Sequence, residues 1–268
     1  MHLQFILSFM LFLAFPLFAL PADPTDTEDG KGTMPVLKGK RFNYAGFDLN
    51  NAEHMKYKDA YETAWEGSIK LIENWLSESN GEASNIYIPS QGHMIAKKVF
   101  QTVLSQVKTR TDRDIWISKE DFHNVCDKEP PVNCASGIME ESVPDDVLPF
   151  NKGDHVINCC FAQGKRFQDL YDINSDGLGP ILSYKMDSFS ATLAHEYIHW
   201  DPVGTDVLAL FTLGPVLGDA ICEDETYGYY APKELREKDP VRSLRNPDNY
   251  AWSATSLETP SLEAVNGA

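Results

Sequence analysis

Apolar residues recur at helical spacing in two long segments of the chain and cluster in two shorter ones. Between residues 52 and 79 they fall on one broad face among Lys, Glu and Asp, which predicts a helix. A second helical pattern runs from about residue 93 to residue 107. The short apolar runs at 115–117 and 155–161 predict buried strands. Residues 127–154 contain four prolines and no regular period, so we predict a loop there.

A third helical pattern occupies residues 187–200. Phe189, Leu193 and Tyr197 recur four residues apart, and Asp187 and Ser188 are residue types that commonly begin a helix. This predicted helix contains the motif H-E-x-x-H, which is the most informative feature of the chain.

The motif has a spacing that suits a catalytic metal site. His195 and His199 lie four residues apart, so both imidazoles project from one face of a helix and can bind a single metal ion. Zinc accepts such ligands and keeps one position open for water in catalytic sites. Glu196 can act on that water as a general base without binding the metal. Coincidence is the alternative, and the helical context and a third ligand argue against it.

The amino terminus predicts secretion. Residues 1–22 contain no Lys, Arg, Asp or Glu, and an apolar block at 5–14 is followed by small residues. This is typical of a signal peptide cleaved near residues 19–22, and the block is short for a membrane anchor. Residues 23–40 are predicted to be a flexible tail and a candidate pro-segment, ending at the dibasic pair Lys40–Arg41. Residues 41–268 then form a single domain.

The charge of the chain excludes two classes of partner. Its formal net charge is −17 and its pI is about 4.7. Such a surface repels nucleic acid and anionic membranes, so we expect neither as a partner. We expect a secreted, extracellular monomer.

Five cysteines remain after the predicted signal peptide. In an oxidising compartment they predict two disulfides and one free thiol. The pairing stays open: Cys126 and Cys134 can close a short loop, and Cys222 can pair with Cys159 or Cys160. Zinc bound by thiolates is disfavoured because the chain has no C-x-x-C pair.

The third metal ligand is predicted to be a carboxylate, because no histidine follows His199. The candidate carboxylates are Asp201, Asp206, Asp219, Glu223, Asp224 and Glu225. Asp201 is too close to His199 to fold back easily onto the same ion. A separate segment, Asp172–Gly177, matches the start of a calcium loop, but Ser183 stands where that loop needs a glutamate, and calcium binding stays open.

Two further motifs resemble those of a known family. Asp224–Gly228 matches D-x-x-Y-G, part of the aspzincin motif G-T-x-D-x-x-Y-G, and Asn246–Trp252 is similar to the N-x-D-x-Y-A-aromatic segment of secreted fungal members. The chain thus resembles the aspzincin metallopeptidases, which include the deuterolysins and the fungal lysine-specific metallo-endopeptidases. It departs from them at Ile221 and Cys222, which replace the Gly and Thr of the motif. Gly204–Asp206 is similar to the start of the same motif, but the Tyr-Gly pair that ends the motif is absent there.

The resemblance implies a fold and a set of site residues. The fold would be α+β, mainly α, and zincin-like, with the H-E-x-x-H helix packed on a small sheet. One Zn²⁺ per chain would be bound by His195, His199 and Asp224, with Glu223 as the alternative third ligand. Glu196 would be the catalytic base, and the hydroxyl of Tyr227 would stabilise the oxyanion.

These features together predict a secreted zinc-dependent endopeptidase that hydrolyses peptide bonds in peptide or protein substrates through a metal-activated water. A secreted zinc-binding or zinc-scavenging protein without peptidase activity is the main alternative. An extracellular interaction protein with a chance motif is the third, and it would bind no stoichiometric zinc.

Overall fold

The computed structural model describes residues 36–38, 42–78, 85–108, 115–119, 134–139, 150, 152–160, 187–217 and 227–256. Within these residues the helices are α1 (Ala52–Glu78), α2 (His93–Lys108), α3 (Phe189–Ile198), α4 (Thr205–Ala209), α5 (Ala231–Lys238), α6 (Pro240–Ser243) and α7 (Pro247–Thr255). The strands are β1 (Val36–Lys38), β2 (Asn43–Ala45), β3 (Ile115–Ser118), β4 (Cys134–Ile138) and β5 (His155–Cys159). The fold is therefore α+β and mainly helical, as predicted.

The five strands form one sheet in the order β1-β2-β3-β5-β4. The three central strands are parallel, and the outer strands β1 and β4 pair antiparallel with their neighbours. Side chains of β3 alternate between two apolar clusters. Ile115 and Ile117 belong to the main core with the helices, whereas Trp116 packs with Phe150 on the other face. Both faces of the sheet are thus covered, which explains the nearly continuous apolar sequence of β3.

Helix α1 packs against α3 through an aromatic and a polar contact. The rings of Trp65 and Tyr197 lie 4.5 Å apart, centroid to centroid. One turn along α1, the buried Ser68 hydroxyl donates a hydrogen bond of 2.6 Å to the carbonyl of Ser190. The buried residues of α1 recur every three to four positions, which is the period expected of a helix that buries one side. The longest helix therefore covers the helix that carries H-E-x-x-H.

Helix α7 is held by buried polar contacts from three parts of the chain. The indole nitrogen of Trp75 on α1 donates to the Ser253 hydroxyl at 2.8 Å. The side-chain amide of Asn249 donates to the carbonyls of Tyr87 and Pro232, each at 2.8 Å, and Asn249 is fully buried. Its own carbonyl accepts a hydrogen bond from the Asn246 side chain at 2.8 Å. These contacts fix the position of α7 beside α3.

Most elements predicted from the hydrophobic pattern are confirmed, and one is wrong. Helices α1, α2 and α3 and strands β3 and β5 lie where the pattern places them. The segment 127–154 was expected to be loop, but Cys134–Ile138 forms β4. Strand β1, at Val36–Lys38, lies inside the segment predicted to be a flexible tail and pairs with β2. The sheet therefore begins before the domain boundary expected at residue 41.

The structure decides between the pairings that the sequence left open for Cys134 and Cys159. Cys134 forms a disulfide with Cys159, its directly opposite partner in the β4–β5 pair. The register of β4 against β5 determines this disulfide, whereas closeness in sequence would favour a bond between Cys126 and Cys134. Cys160 is disulfide-bonded as well, and Cys126 and Cys222 lie outside the described residues. The calcium-like segment Asp172–Gly177 and the predicted signal peptide also lie outside them.

No helix within the described residues combines the length and apolar character needed to cross a membrane.

We predict that Asn249→Ala lowers the free energy of unfolding by about 2–4 kcal/mol, because it removes the buried side chain that donates to the carbonyls of Tyr87 and Pro232 and accepts from Asn246. Urea denaturation measures this difference. The matched control is Asn50→Ala, whose exposed side-chain amide donates to Asp48 at 3.3 Å. This substitution should change stability by less than about 0.5 kcal/mol. Equal effects of the two substitutions would contradict the role given to Asn249.

Candidate metal centre

Helix α3 begins with a side-chain cap and ends at the second histidine of the motif. The hydroxyl of Ser188 accepts a hydrogen bond from the backbone N–H of Ala191 at 3.2 Å, as an N-cap does. Every residue of α3 except Thr192 is buried. His199 caps the carboxyl end, where the helix dipole favours a positive charge. A cation bound at this end would add to the stability of the helix.

The two histidines of the motif direct their outer nitrogens toward one point. The Nε2 atoms of His195 and His199 are 3.0 Å apart, and a carboxylate oxygen of Glu196 lies within 4.8 Å of both. Two ligands at about 2.0–2.1 Å from a tetrahedral zinc ion are about 3.3 Å apart. His195 and Glu196 are each only 3% exposed, whereas His199 is half-buried. This donor set fits a metal ion.

An aspartate on α7 contacts the first histidine through the ring nitrogen that does not face His199. Oδ1 of Asp248 lies 2.5 Å from Nδ1 of His195. Because an ionised carboxylate only accepts hydrogen bonds, the imidazole donates from Nδ1. In the neutral ring Nε2 then carries a lone pair, which is the form that binds a metal. The contact therefore prepares His195 for coordination through Nε2.

The turn after residue 226 packs directly on the same histidine. The ring of Tyr227 stacks on that of His195, with centroids 5.4 Å apart and planes inclined by 22°. Gly228 follows with φ of +81°, a conformation that favours glycine. Its N–H donates to Oδ2 of Asp248 at 2.7 Å. The Tyr-Gly pair of the sequence motif is thus placed beside the histidine that the other motif supplies.

The sheet supports α3 from the opposite side. The carbonyl oxygen of Glu196 lies 3.3 Å from Nε2 of the fully buried His155, and the Ser136 hydroxyl donates to it at 3.2 Å. Tyr61 from α1 is also fully buried, and this burial, together with the charge of Glu196, raises its pKa. Strands β4 and β5 and helix α1 therefore fix the backbone that carries the candidate base.

A second carboxylate stands at the start of α3. Loss of hydration around the carboxyl group, and then the negative charge of Asp248, raise the pKa of Asp187 to about 6, although the residue as a whole remains exposed. The Ser188 backbone and His195 oppose this rise only in part. The ionised form of this carboxyl group is therefore disfavoured in the folded protein, mainly because the group loses hydration.

The structure brings together most of the described residues that the motifs indicated. His195, Glu196 and His199 form the candidate metal group, and Tyr227 packs against it. Asp224 and its alternative Glu223 lie outside the described residues. Within the described residues, neither Asp201 nor Asp206 joins the group.

Gly204–Asp206, the segment that imitates the family motif, has a structural role. A β-carbon on Gly204 would lie 2.1 Å from the carbonyl oxygen of Ile198, so only glycine fits beside the end of α3.

Neither Asp248 nor His155 is indicated as a site residue by the motifs. In the structure, Nε2 of His155 lies 3.3 Å from the backbone carbonyl oxygen of Glu196. Asp248 lies within Asn246–Trp252, a segment in which the resemblance assigns no site residue. A general rule points to a residue such as Asp248, because a metal-binding histidine almost always donates its second N–H to a carboxylate or a carbonyl.

In comparisons with known proteins, no family model matches the chain, and no curated protein matches it significantly. The family resemblance therefore depends on the motif residues alone.

We predict that Asp187→Asn stabilises the metal-free protein at neutral pH more than at acidic pH. A carboxyl group whose pKa is higher in the folded state contributes stability below its unfolded pKa, about 3.8, and this contribution is lost as the pH rises through about 6. The parent protein should thus lose stability between pH 4 and pH 7 relative to the variant. Urea denaturation in the presence of a chelator measures the difference. A stability difference independent of pH would contradict the prediction.

Proposed function

We propose that this chain is a secreted zinc-dependent endopeptidase of the aspzincin type. The observation that carries the proposal is the grouping of His195 Nε2, His199 Nε2 and the Glu196 carboxylate at the buried end of α3. A site that only binds metal has no need of a carboxylate beside the two histidines, whereas peptide hydrolysis needs a base there. Zinc would be held by His195, His199 and Asp224, one ion per chain.

Two side chains of the protein have separate roles in the proposed hydrolysis. Zinc, when bound, supplies Lewis-acid polarisation of the attacking water and of the scissile carbonyl. Glu196 removes a proton from the water as its oxygen forms a bond to the carbonyl carbon, and later gives that proton to the leaving amine as the C–N bond breaks. The hydroxyl of Tyr227 stabilises the negative charge that develops on the carbonyl oxygen. Burial of Glu196 strengthens these interactions because it excludes water.

Secretion is part of the proposal because of three features. The amino terminus has the composition of a signal peptide, its apolar block is short for a membrane anchor, and the fold contains a disulfide between β4 and β5. The protein would then act outside the cell as a monomeric enzyme on peptide or protein substrates.

We predict that Glu196→Gln lowers the rate of peptide hydrolysis about 10²–10⁴-fold and leaves zinc bound at one ion per chain, because the amide keeps the shape of the side chain but cannot accept the proton. The assay is hydrolysis of an unfolded protein by the purified mature chain. The matched control is Glu73→Gln, an exposed glutamate on α1, which should retain full activity.

The outcomes of this assay separate the three functions. No hydrolysis by the parent, with one zinc per chain, would replace the proposal with a zinc-binding or zinc-scavenging protein. Neither hydrolysis nor stoichiometric zinc would indicate an interaction protein with a chance motif.

We predict that Asp224→Asn lowers the affinity for zinc at least about tenfold, while Glu223→Gln changes it less than about twofold, because only a direct ligand donates its lone pair to the ion. Competition with a chromophoric chelator measures both affinities. The two variants differ from the parent by the same carboxylate-to-amide change at adjacent positions, so each controls for the other. The opposite ranking would assign the third ligand to Glu223.

A further inference from the structure

We infer that Asp248 is a positioning residue that holds His195 in its metal-binding tautomer and connects the metal helix to the turn that carries Tyr227. The inference rests on the metal centre of the proposed function. It adds a residue that neither the H-E-x-x-H motif nor the D-x-x-Y-G motif contains.

Geometry excludes Asp248 as a direct ligand through the oxygen that contacts the histidine. Nδ1 and Nε2 lie on different sides of the imidazole ring, and Nε2 faces the second histidine at 3.0 Å. Oδ1 of Asp248 is on the Nδ1 side, 2.5 Å away. The other oxygen, Oδ2, accepts the Gly228 N–H at 2.7 Å. Both oxygens are therefore engaged by hydrogen-bond donors, and Oδ1 lies on the side of the ring away from the second histidine.

Asp248 accepts hydrogen bonds from two groups, and only one of these groups could also act as an acceptor. A backbone N–H such as that of Gly228 can only donate. The His195 ring can donate from Nδ1 or, in its other tautomer, accept there and carry its proton on Nε2. A carboxylate accepts from both groups at once. It thereby leaves the lone pair on Nε2 for the metal ion.

An asparagine at the same position cannot satisfy both donors in this way. Its single carbonyl oxygen can accept from Gly228, and its amide then points toward Nδ1 of His195. The ring adapts by moving its proton to Nε2, which blocks coordination. The arrangement of α7 is otherwise preserved, because Asn249 and not Asp248 makes the contacts that hold this helix to residues 87 and 232.

Burial makes this choice of tautomer consequential. Asp248 is 8% exposed and His195 is 3% exposed, so water is a poor substitute for either partner. A metal-binding histidine whose second N–H loses its acceptor typically loses a factor of 10–100 in metal affinity. The carboxylate of Asp248 contacts both His195 and Gly228. The position of the Tyr227–Gly228 turn relative to α3 therefore depends on this one side chain.

The experiment measures zinc affinity and the His195 tautomer in Asp248→Asn, with Asp239→Asn as the matched control. Asp239 caps α6 by accepting the Arg242 N–H at 3.0 Å, and asparagine serves equally well as a cap. Zinc affinity is obtained by chelator competition. The tautomer is obtained in metal-free protein from the ¹⁵N shifts of labelled histidines, with the His195 signals assigned by comparison with His195→Gln.

We expect Asp248→Asn to bind zinc about 10–100-fold more weakly and to carry its His195 proton on Nε2, while Asp239→Asn matches the parent in both. Zinc affinity within twofold of the parent would overturn the inference. A loss of affinity with the proton still on Nδ1 would also overturn it, since Asp248 would then act in another way.

Two measurements keep the test decisive if the variant does not fold or if the parent binds no zinc. In the metal-free parent, a His195 proton on Nε2 overturns the inference without any variant, and a proton on Nδ1 supports it. Absence of zinc binding by the parent would overturn the proposed function, while the tautomer would still decide whether Asp248 orients the ring.

Discussion

The burial of helix α3 is the constraint on which the rest of this structure depends. A ten-residue helix is marginal in water, and α3 is stable because α1, α7 and the edge of the sheet enclose it. Its polar residues pointing inward must then be satisfied by those neighbours. Ser68 meets the carbonyl of Ser190, and Asp248 meets His195. The packing that stabilises the helix is thus the same packing that prepares its histidines.

Enclosure also determines the electrostatics of the centre. Asp187, Glu196 and Asp248 place three carboxyl groups near the two imidazoles, and the carboxyl end of α3 adds a partial negative charge. Burial and, after it, the charge of Asp248 disfavour the ionised form of Asp187, as its raised pKa indicates. A divalent cation bound at His195 and His199 would offset part of this negative charge.

Local sequence patterns could predict the helices and the metal motif, because both are encoded by spacing within one turn or a few turns. The elements that were missed depend on distant partners. Cys134–Ile138 has no strong apolar alternation and becomes a strand by pairing with β5, which also brings Cys134 opposite Cys159. Asp248 lies 53 residues from His195, so only the docking of α7 on α3 reveals their contact. The family resemblance located Tyr227 and Gly228 in sequence, but it did not indicate that Gly228 and His195 share an acceptor.

X-ray absorption spectroscopy of the zinc-loaded mature chain tests the central claim most directly, namely that the end of α3 is a zinc site. The account predicts one zinc per chain with two imidazole nitrogens and oxygen donors at about 2.0–2.1 Å, and loss of this signal in His195→Ala and His199→Ala. Sulfur donors at about 2.3 Å, or a spectrum unchanged by the loss of either histidine, would contradict it.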